Sequence, residues 1–422
     1  SKVLAEKLAG ALPSPRIATR ADYRDIEGNI VDDVLLTLFV GPAYYTAEDT
    51  LEISCHGNPF LAQRILEDLL ARGCHPAEAG EFTQRAFLNG QMDLSQAEAV
   101  MDLIHARSTR ALAAANQQLR GALGRKMDAL IEGLLAVLAN IEAYIDFPDE
   151  DLPTEDQEFV AVALERLKID TSNLLATNHY GDILRDGLKT VILGEPNAGK
   201  SSLLNRLVGR DRALVSDQPG TTRDYLEERI ILGDHCLRLI DTAGLNAAPT
   251  ELEKLGMEKS LERMAEADLI LLVLDQSKSS PELPDTVRKH LNKVNTLIVA
   301  NKSDLTSDAV SSPEFGNYET IATSALTGAG FDELQIALQN RADAFHVELG
   351  DELIAINARH ADALARANTC LEQASAQLKS GDPIELIASE LRGSLAAYGE
   401  ISGKIDNERM LDHLFASFCI GK

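Results

Sequence analysis

The eight residues GEPNAGKS, Gly194 to Ser201, directly after the apolar run KTVIL, limit the fold of this chain more than any other stretch. A Gly-x-x-x-x-Gly-Lys-Ser segment that ends a strand and opens a helix has the form of a phosphate-binding loop. Its glycines let successive backbone N–H groups converge on phosphate oxygens with no side chain in the way. Lys200 brings positive charge to the β- and γ-phosphates, and the Ser201 hydroxyl is a hard oxygen ligand for magnesium. Asn197, Ala198, Gly199 and Ser202 complete the expected contact set. Taken alone the pattern also fits a Gly-rich turn of purely structural use, so its surroundings must decide.

Those surroundings alternate strands and helices from residue 188 to about 342. Strands are expected at KTVILG, EERIIL, CLRLID, LILLVLD, TLIVAN and YETIATS, with helices from Ser201, around 252–265, near 283–292 and at FDELQIALQN. The alternation implies a mostly parallel sheet covered on both faces. The hairpin EERIILGDHCLRLID, turning at Gly233-Asp234, adds one antiparallel edge.

Four further motifs accompany it. NKSD, Asn301 to Asp304, ends the strand TLIVA. The Asp304 carboxylate can accept from guanine's ring N–H and exocyclic amine, whereas adenine offers an acceptor where guanine has the ring donor. Lys302 can lay its stem along the base, with Ser303 beside it. TSAL, whose Ser324 and Ala325 follow the next strand, would offer backbone N–H groups to the guanine oxygen. Asp241, Thr242, Ala243 and Gly244 form the Asp-x-x-Gly that senses the γ-phosphate and its magnesium. The next residue, Leu245, can make no hydrogen bond, so the attacking water must be held by another group. GTTRD, from Gly220, lies where a switch loop belongs. Thr222 is the first candidate to reach magnesium and Thr221 the second. Together the motifs imply a GTP site.

The flanks differ in character. Residues 1 to about 90 mix strands (VDDVLLTLFV, DTLEISCHG) with the amphipathic helix PFLAQRILEDLLARG, closed by Gly73. Residues 91–187 and 343–422 read as helical, the first interrupted by the acidic, Pro-bearing DFPDEDLPTED. Helical flanks around an α/β unit read as one helical domain with an insertion, or else as two separate appendages. A net charge of −26 argues against broad non-specific nucleic-acid binding. The basic cluster RGALGRK, Arg120 to Lys126, reads as a solvated helix face. The five scattered cysteines suit a reducing cytoplasm, and no run is long enough to span a membrane. Cys55-His56 and Cys74-His75 follow no known zinc spacing.

Several features together resemble one family, the bacterial-type tRNA-modification GTPases called MnmE or TrmE. Beyond the GTPase motifs they are GEFTQRAFLNGQMDLSQAEAV at 80–100 and the closing CIGK at 419–422. GTPases that assist ribosome assembly share the phosphate loop but lack both. The resemblance implies a multidomain α+β chain with four stretches. These are an N-terminal α/β folate-binding and dimerising domain (1–90), an all-α helical domain (91–187 and 343–422), and an inserted Ras-like P-loop α/β GTPase domain (188–342).

The same resemblance implies a potassium ion in place of a water-orienting glutamine. Asn197 matches the family's ligating asparagine, and the loop Ser216, Asp217, Gln218, Pro219, Gly220 and Thr221 matches the one that completes the cage, with Ser216, Gln218 and Thr221 among the ligands. Glu253 matches the glutamate that orients water. Its position early in an amphipathic helix would otherwise read as solvated. A tetrahydrofolate derivative, 5-formyl- or 5,10-methylene-tetrahydrofolate, is expected at Glu52, Gln91 and Lys422. Gln91 stands where the family usually has a basic residue, and a first strand with an arginine contact is expected ahead of Ser1. Cys419 reads either as a nucleophile activated by Lys422 or as a packed helix-end cysteine.

The activity implied is potassium-stimulated GTP hydrolysis in a cytoplasmic homodimer. It serves C5 modification of the tRNA wobble uridine (U34) with an aminomethyl or carboxymethylaminomethyl group. The flavin-dependent partner MnmG (GidA) would act with it and share the grip on tRNA. The competing reading is a nucleotide-gated ribosome-assembly or RNA-binding factor with little hydrolysis of its own.

Overall fold

The structure is a computed structural model that describes residues 1–10, 12–146, 154–211, 227–241, 261–279, 281, 283–306, 315–345 and 353–403. Two compact units emerge, one of residues 1–101 with the chain from 398 onward, the other of residues 102–397.

In the first unit, β1 (Thr19–Arg24), β2 (Ile30–Phe39) and β3 (Thr50–Ser54) form an antiparallel meander. Along β2 the period-two pattern buries Val34, Leu36 and Leu38 and leaves Leu35 exposed. Helices α1 (Lys2–Ala9) and α2 (Pro59–Ala71) cover that apolar face through Leu8 and Ile65. Asn58 caps α2 through the Phe60 N–H, and Gly73 follows the helix end at φ 94°, a conformation suited to glycine. Buried Asp68 accepts from the Tyr23 hydroxyl (2.7 Å), Arg72 Nε (2.6 Å) and the Ile26 N–H (2.8 Å), so its lone pairs are satisfied. Helix α3 (Glu81–Leu88) is tied to the loop before β3 by Arg85 on Glu48 and by the Asn89 amide on the Thr46 carbonyl.

The second unit holds a six-stranded sheet in the order β5-β6-β4-β7-β8-β9. Its strands are β4 (Leu188–Gly194), β5 (Glu227–Leu232), β6 (His235–Asp241), β7 (Leu269–Asp275), β8 (Thr296–Asn301) and β9 (Thr320–Ala322). Every pair is parallel except the β5–β6 hairpin, which turns at Gly233-Asp234. Alternate residues serve the two faces. Ile192, Leu239, Leu271 and Val299 pack with α9 (Lys200–Asp211) and the helix Phe331–Asp343. Val191, Ile240, Leu272 and Ile298 pack with Met264, Leu283, Val287 and Phe315.

The helix expected near 283–292 is a single turn, Asp285–Arg288. The Asn292 side chain accepts the N–H groups of Val294 and Asn295, and the Asn295 side chain accepts that of Asn292. These local bonds turn the chain into β8 instead of extending a helix.

The remaining helices are α4 (Leu94–His105), α5 (Thr109–Leu119), α6 (Ala122–Asp146), α7 (Thr154–Ala176), α8 (Asn178–Asp186), Ala358–Ser380 and Ile384–Ser402, of which α5 and α8 pack against strands of the sheet. Helix α7, before the sheet in sequence, packs along 358–380, after it. The chain enters β4 from α8 and returns beside it: Arg185 donates to the Ile356 carbonyl, and a Cβ on Gly181 would lie 2.2 Å from that oxygen. Among the described residues no helix is long and apolar enough to cross a membrane.

Candidate functional site

Strand β4 delivers the phosphate loop to the C-terminal edge of the sheet. Gly194 is pressed against β7, where an added Cβ would sit 2.3 Å from the Val273 carbonyl oxygen. Asn197 takes a left-handed conformation (φ 63°) on the exposed shoulder of the loop. Gly199 has φ 95°, and a Cβ there would lie 2.2 Å from the Asn301 amide nitrogen. Glycine is therefore required for the phosphate loop and the NKSD loop to meet.

The residue that joins them is Asn301, 1% exposed. Its amide donates to the Ala198 carbonyl (2.9 Å) and accepts from the Ala325 N–H (3.0 Å). One side chain thus fastens the phosphate loop, β8 and the TSAL loop to one another. Asp304 accepts from the Ser324 hydroxyl, and the Ser303 N–H donates to the Thr323 carbonyl (3.0 Å). Lys302, at φ 65°, is held by Asp275 (2.7 Å). Burial alone would raise the Asp275 pKa, but its bonds to Lys302 and Ser277 outweigh it and hold the carboxyl below the usual range. Asp304, expected to read the base, and Lys302 are thereby both held by protein partners.

Lys200 is almost fully buried, and its ammonium donates to the loop's own Gly194 (3.0 Å) and Glu195 (2.9 Å) carbonyls. A phosphate oxygen is a stronger acceptor than either carbonyl, so the ammonium can exchange these carbonyls for it when nucleotide arrives. Ser201 and Ser202 stand exposed on the first turn of α9, and the Ser201 hydroxyl has no protein partner among the described residues.

Two contributors were not legible in the sequence. Asp275 ends β7 and orients Lys302, a role that no local pattern announces. Arg206, on α9, donates to the carbonyls of Ala325 (2.9 Å), Leu326 (3.0 Å) and Thr327 (3.0 Å) and lies 5.4 Å from the Phe331 ring centre. Gly328, at φ 91°, leaves it room, since a Cβ there would come within 2.1 Å of the guanidinium. The helix that follows the phosphate loop therefore also braces the TSAL loop.

Residues 94–419 match the model of the MnmE helical domain, and residues 1–91 match that of the GTP-binding protein TrmE N-terminus. The chain belongs to the MnmE family of tRNA modification GTPases. It is 56% identical over 420 residues to the tRNA modification GTPase MnmE of Opitutus terrae, covering 99% of this chain and 93% of that protein. The corresponding protein of Akkermansia muciniphila is 45% identical, with 97% and 90% covered, and that of Clostridioides difficile 40%, with 93% and 86% covered.

In this GTPase two of the expected folate residues, Glu52 and Gln91, lie in the first unit. Glu52, on β3, accepts a hydrogen bond from the Tyr44 hydroxyl. That bond, with partial burial, pushes the Tyr44 pKa up to about 12. Gln91 is exposed just after α3. His56, considered with Cys55 for zinc, is paired with Asp32 (2.8 Å) instead. Among the described residues no group of three or more His, Cys, Asp or Glu could hold a metal ion. Asp241 ends β6 in register with Ile192 of the phosphate-loop strand. Ser216, Asp217, Gln218, Pro219, Gly220, Thr221, Thr222, Thr242, Ala243, Gly244, Leu245, Glu253, Cys419 and Lys422 lie outside the described residues.

Proposed function

We propose that this GTPase hydrolyses GTP with stimulation by potassium, and that turnover serves C5 modification of the tRNA wobble uridine together with the flavin-dependent protein MnmG. The observation that carries the nucleotide part is the Asn301 bridge. It holds a phosphate loop and a guanine-reading carboxylate in one cradle before any ligand arrives, so little ordering remains to be done on binding. The tRNA part is supported by near full-length similarity to proteins named tRNA modification GTPases.

The cation reading is supported by Asn197. Its exposed carboxamide, on the shoulder of the phosphate loop, has no protein partner among the described residues. A neutral amide oxygen suits a weakly charged, oxygen-seeking ion. Such an ion, once bound, supplies positive charge where the β,γ-bridge becomes more negative. Ser216, Gln218 and Thr221 would share it, Ser201 and Thr222 would hold magnesium, and Glu253 would orient the water that Leu245 cannot. Lys200 neutralises the terminal phosphates.

The remaining assignments belong to the same reading. Residues 1–90 form a homodimer in the cytoplasm, and Glu52 within them binds a tetrahydrofolate derivative together with Gln91 and Lys422. Residues 188–342 act as a nucleotide-driven insert within the helical residues 91–187 and 343–422. Mass spectrometry of nucleosides from the tRNA of cells lacking the protein tests the reading. Loss of the C5 aminomethyl and carboxymethylaminomethyl groups at U34 is expected, and an unchanged nucleoside profile would overturn it.

A further inference from the structure

A cavity of about 260 Å³ lies in the unit of residues 102–397. Residues 102–107, α5 and α8 meet there with β5, the outermost strand of the six-stranded sheet. No residue of the phosphate, NKSD or TSAL loops lines it. Its apolar walls are mostly small, with several alanines of α5 leaving room for a ligand. Its polar lining is unusual for so acidic a chain.

Arg107, Arg185 and Arg229 all line it, against Asp102 and Asp186. Arg185 is already committed to Asp182 (2.8 Å) and the Ile356 carbonyl. The guanidinium groups of Arg107 and Arg229 have neither a hydrogen bond nor an ion pair among the described residues. Arg229 is half-buried in β5, across the hairpin from Arg238, whose charge is satisfied by Glu227 at 2.7 Å. Burial and then the like charge of Arg107 draw the Arg229 pKa down, and Asp186 only partly offsets them. A third group points the same way. Gln118 lines the cavity at 4% exposure, and its carboxamide has no partner among the described residues. A half-buried guanidinium facing a like charge gains from an anion, and a carboxamide that lines the same cavity can donate to one.

We propose that this cavity is an anion site that takes a phosphoryl group, bridged between Arg107 and Arg229 and hydrogen-bonded by Gln118. A guanidinium fork matches the oxygens of a phosphate in paired fashion, which suits it better than a point charge. The cavity is roomier than a bare phosphate requires, so the group arrives on a larger body. That body is either a free phosphate ester or a phosphodiester of bound RNA.

The test uses the full chain saturated with magnesium and GDP, so that the phosphate loop is filled. Inorganic phosphate is titrated at constant ionic strength by calorimetry into the wild type, Arg107→Gln and Arg229→Gln. The expected result is saturable binding by the wild type, weakened at least about tenfold in each variant, as befits a lost charged hydrogen bond. Absence of saturable binding, or equal affinity in all three proteins, overturns the proposal. Arg107 is exposed, and removing it relieves repulsion, so Arg107→Gln should keep its melting temperature and GDP affinity. It stands as the decisive variant if Arg229→Gln folds poorly. Repeating the titration with tRNA separates the two sources. A parallel loss of tRNA affinity, with phosphate competing, supports the RNA phosphodiester; unchanged tRNA affinity with phosphate binding lost supports the free ester.

Discussion

Asn301 shows how a short motif can hide a structural task. The sequence marks it as the first letter of NKSD, beside the residues expected to read guanine. In the fold its amide never needs the base, because both ends are spent on Ala198 and Ala325. Asn301→Ala removes two buried hydrogen bonds and leaves a carbonyl and an N–H unsatisfied, about 2–4 kcal/mol in all. GDP affinity, followed with a fluorescent nucleotide, is expected to fall between about thirtyfold and a thousandfold. Arg206→Ala should weaken GDP by less, about three- to tenfold, because the carbonyls it releases lie at the exposed rim and can turn to water. An Arg206 effect larger than that of Asn301 would contradict this ranking. The sequence gives no hint of Arg206, since it acts on carbonyls 119 to 121 residues away and sits on an ordinary polar position of a helix.

At the scale of elements, the strands were the most legible part. LILLVLD is buried on both faces throughout, as an interior parallel strand requires. Where local hydrogen bonding competed with periodicity, as at Asn292 and Asn295, the expected helix shortened to a turn. The turn into β7 carries a charge as well. Asp268 accepts from the Lys189 N–H (2.8 Å) at the start of β4 and pairs with His179 (2.9 Å) on α8. Burial nonetheless raises its pKa above the usual value. A carboxyl raised on folding stabilises the protein fully below its unfolded pKa and loses that contribution as pH rises through the folded one. Asp268→Asn has no such titration. Its melting temperature relative to wild type should therefore climb as pH goes from about 4 to about 7, the range above an unperturbed carboxyl. A difference that stays flat, or falls, would contradict the burial argument.

For the whole molecule, helical periodicity in the two flanks gave no indication of which helices pair. That followed only from α7 lying along the helix 358–380 and from the return of the chain past α8. The entry and exit of the six-stranded sheet are held together at Gly181, where backbone meets backbone. Gly181→Ala forces a methyl group within 2.2 Å of the Ile356 oxygen and is expected to destabilise this unit by about 1–3 kcal/mol, measured by chemical denaturation. A neutral effect would mean that the two segments part freely.

Glu253, the loop 216–222 and the closing CIGK lie outside the described residues, and Asn197 is the described residue on which the proposed potassium stimulation of hydrolysis turns. Steady-state GTP hydrolysis in potassium against sodium, at equal ionic strength, with wild type and Asn197→Ala, tests it most directly. Hydrolysis many-fold faster in potassium, with that advantage abolished by Asn197→Ala, is the expected result. Equal rates in both salts, or a potassium advantage that survives Asn197→Ala, would contradict it.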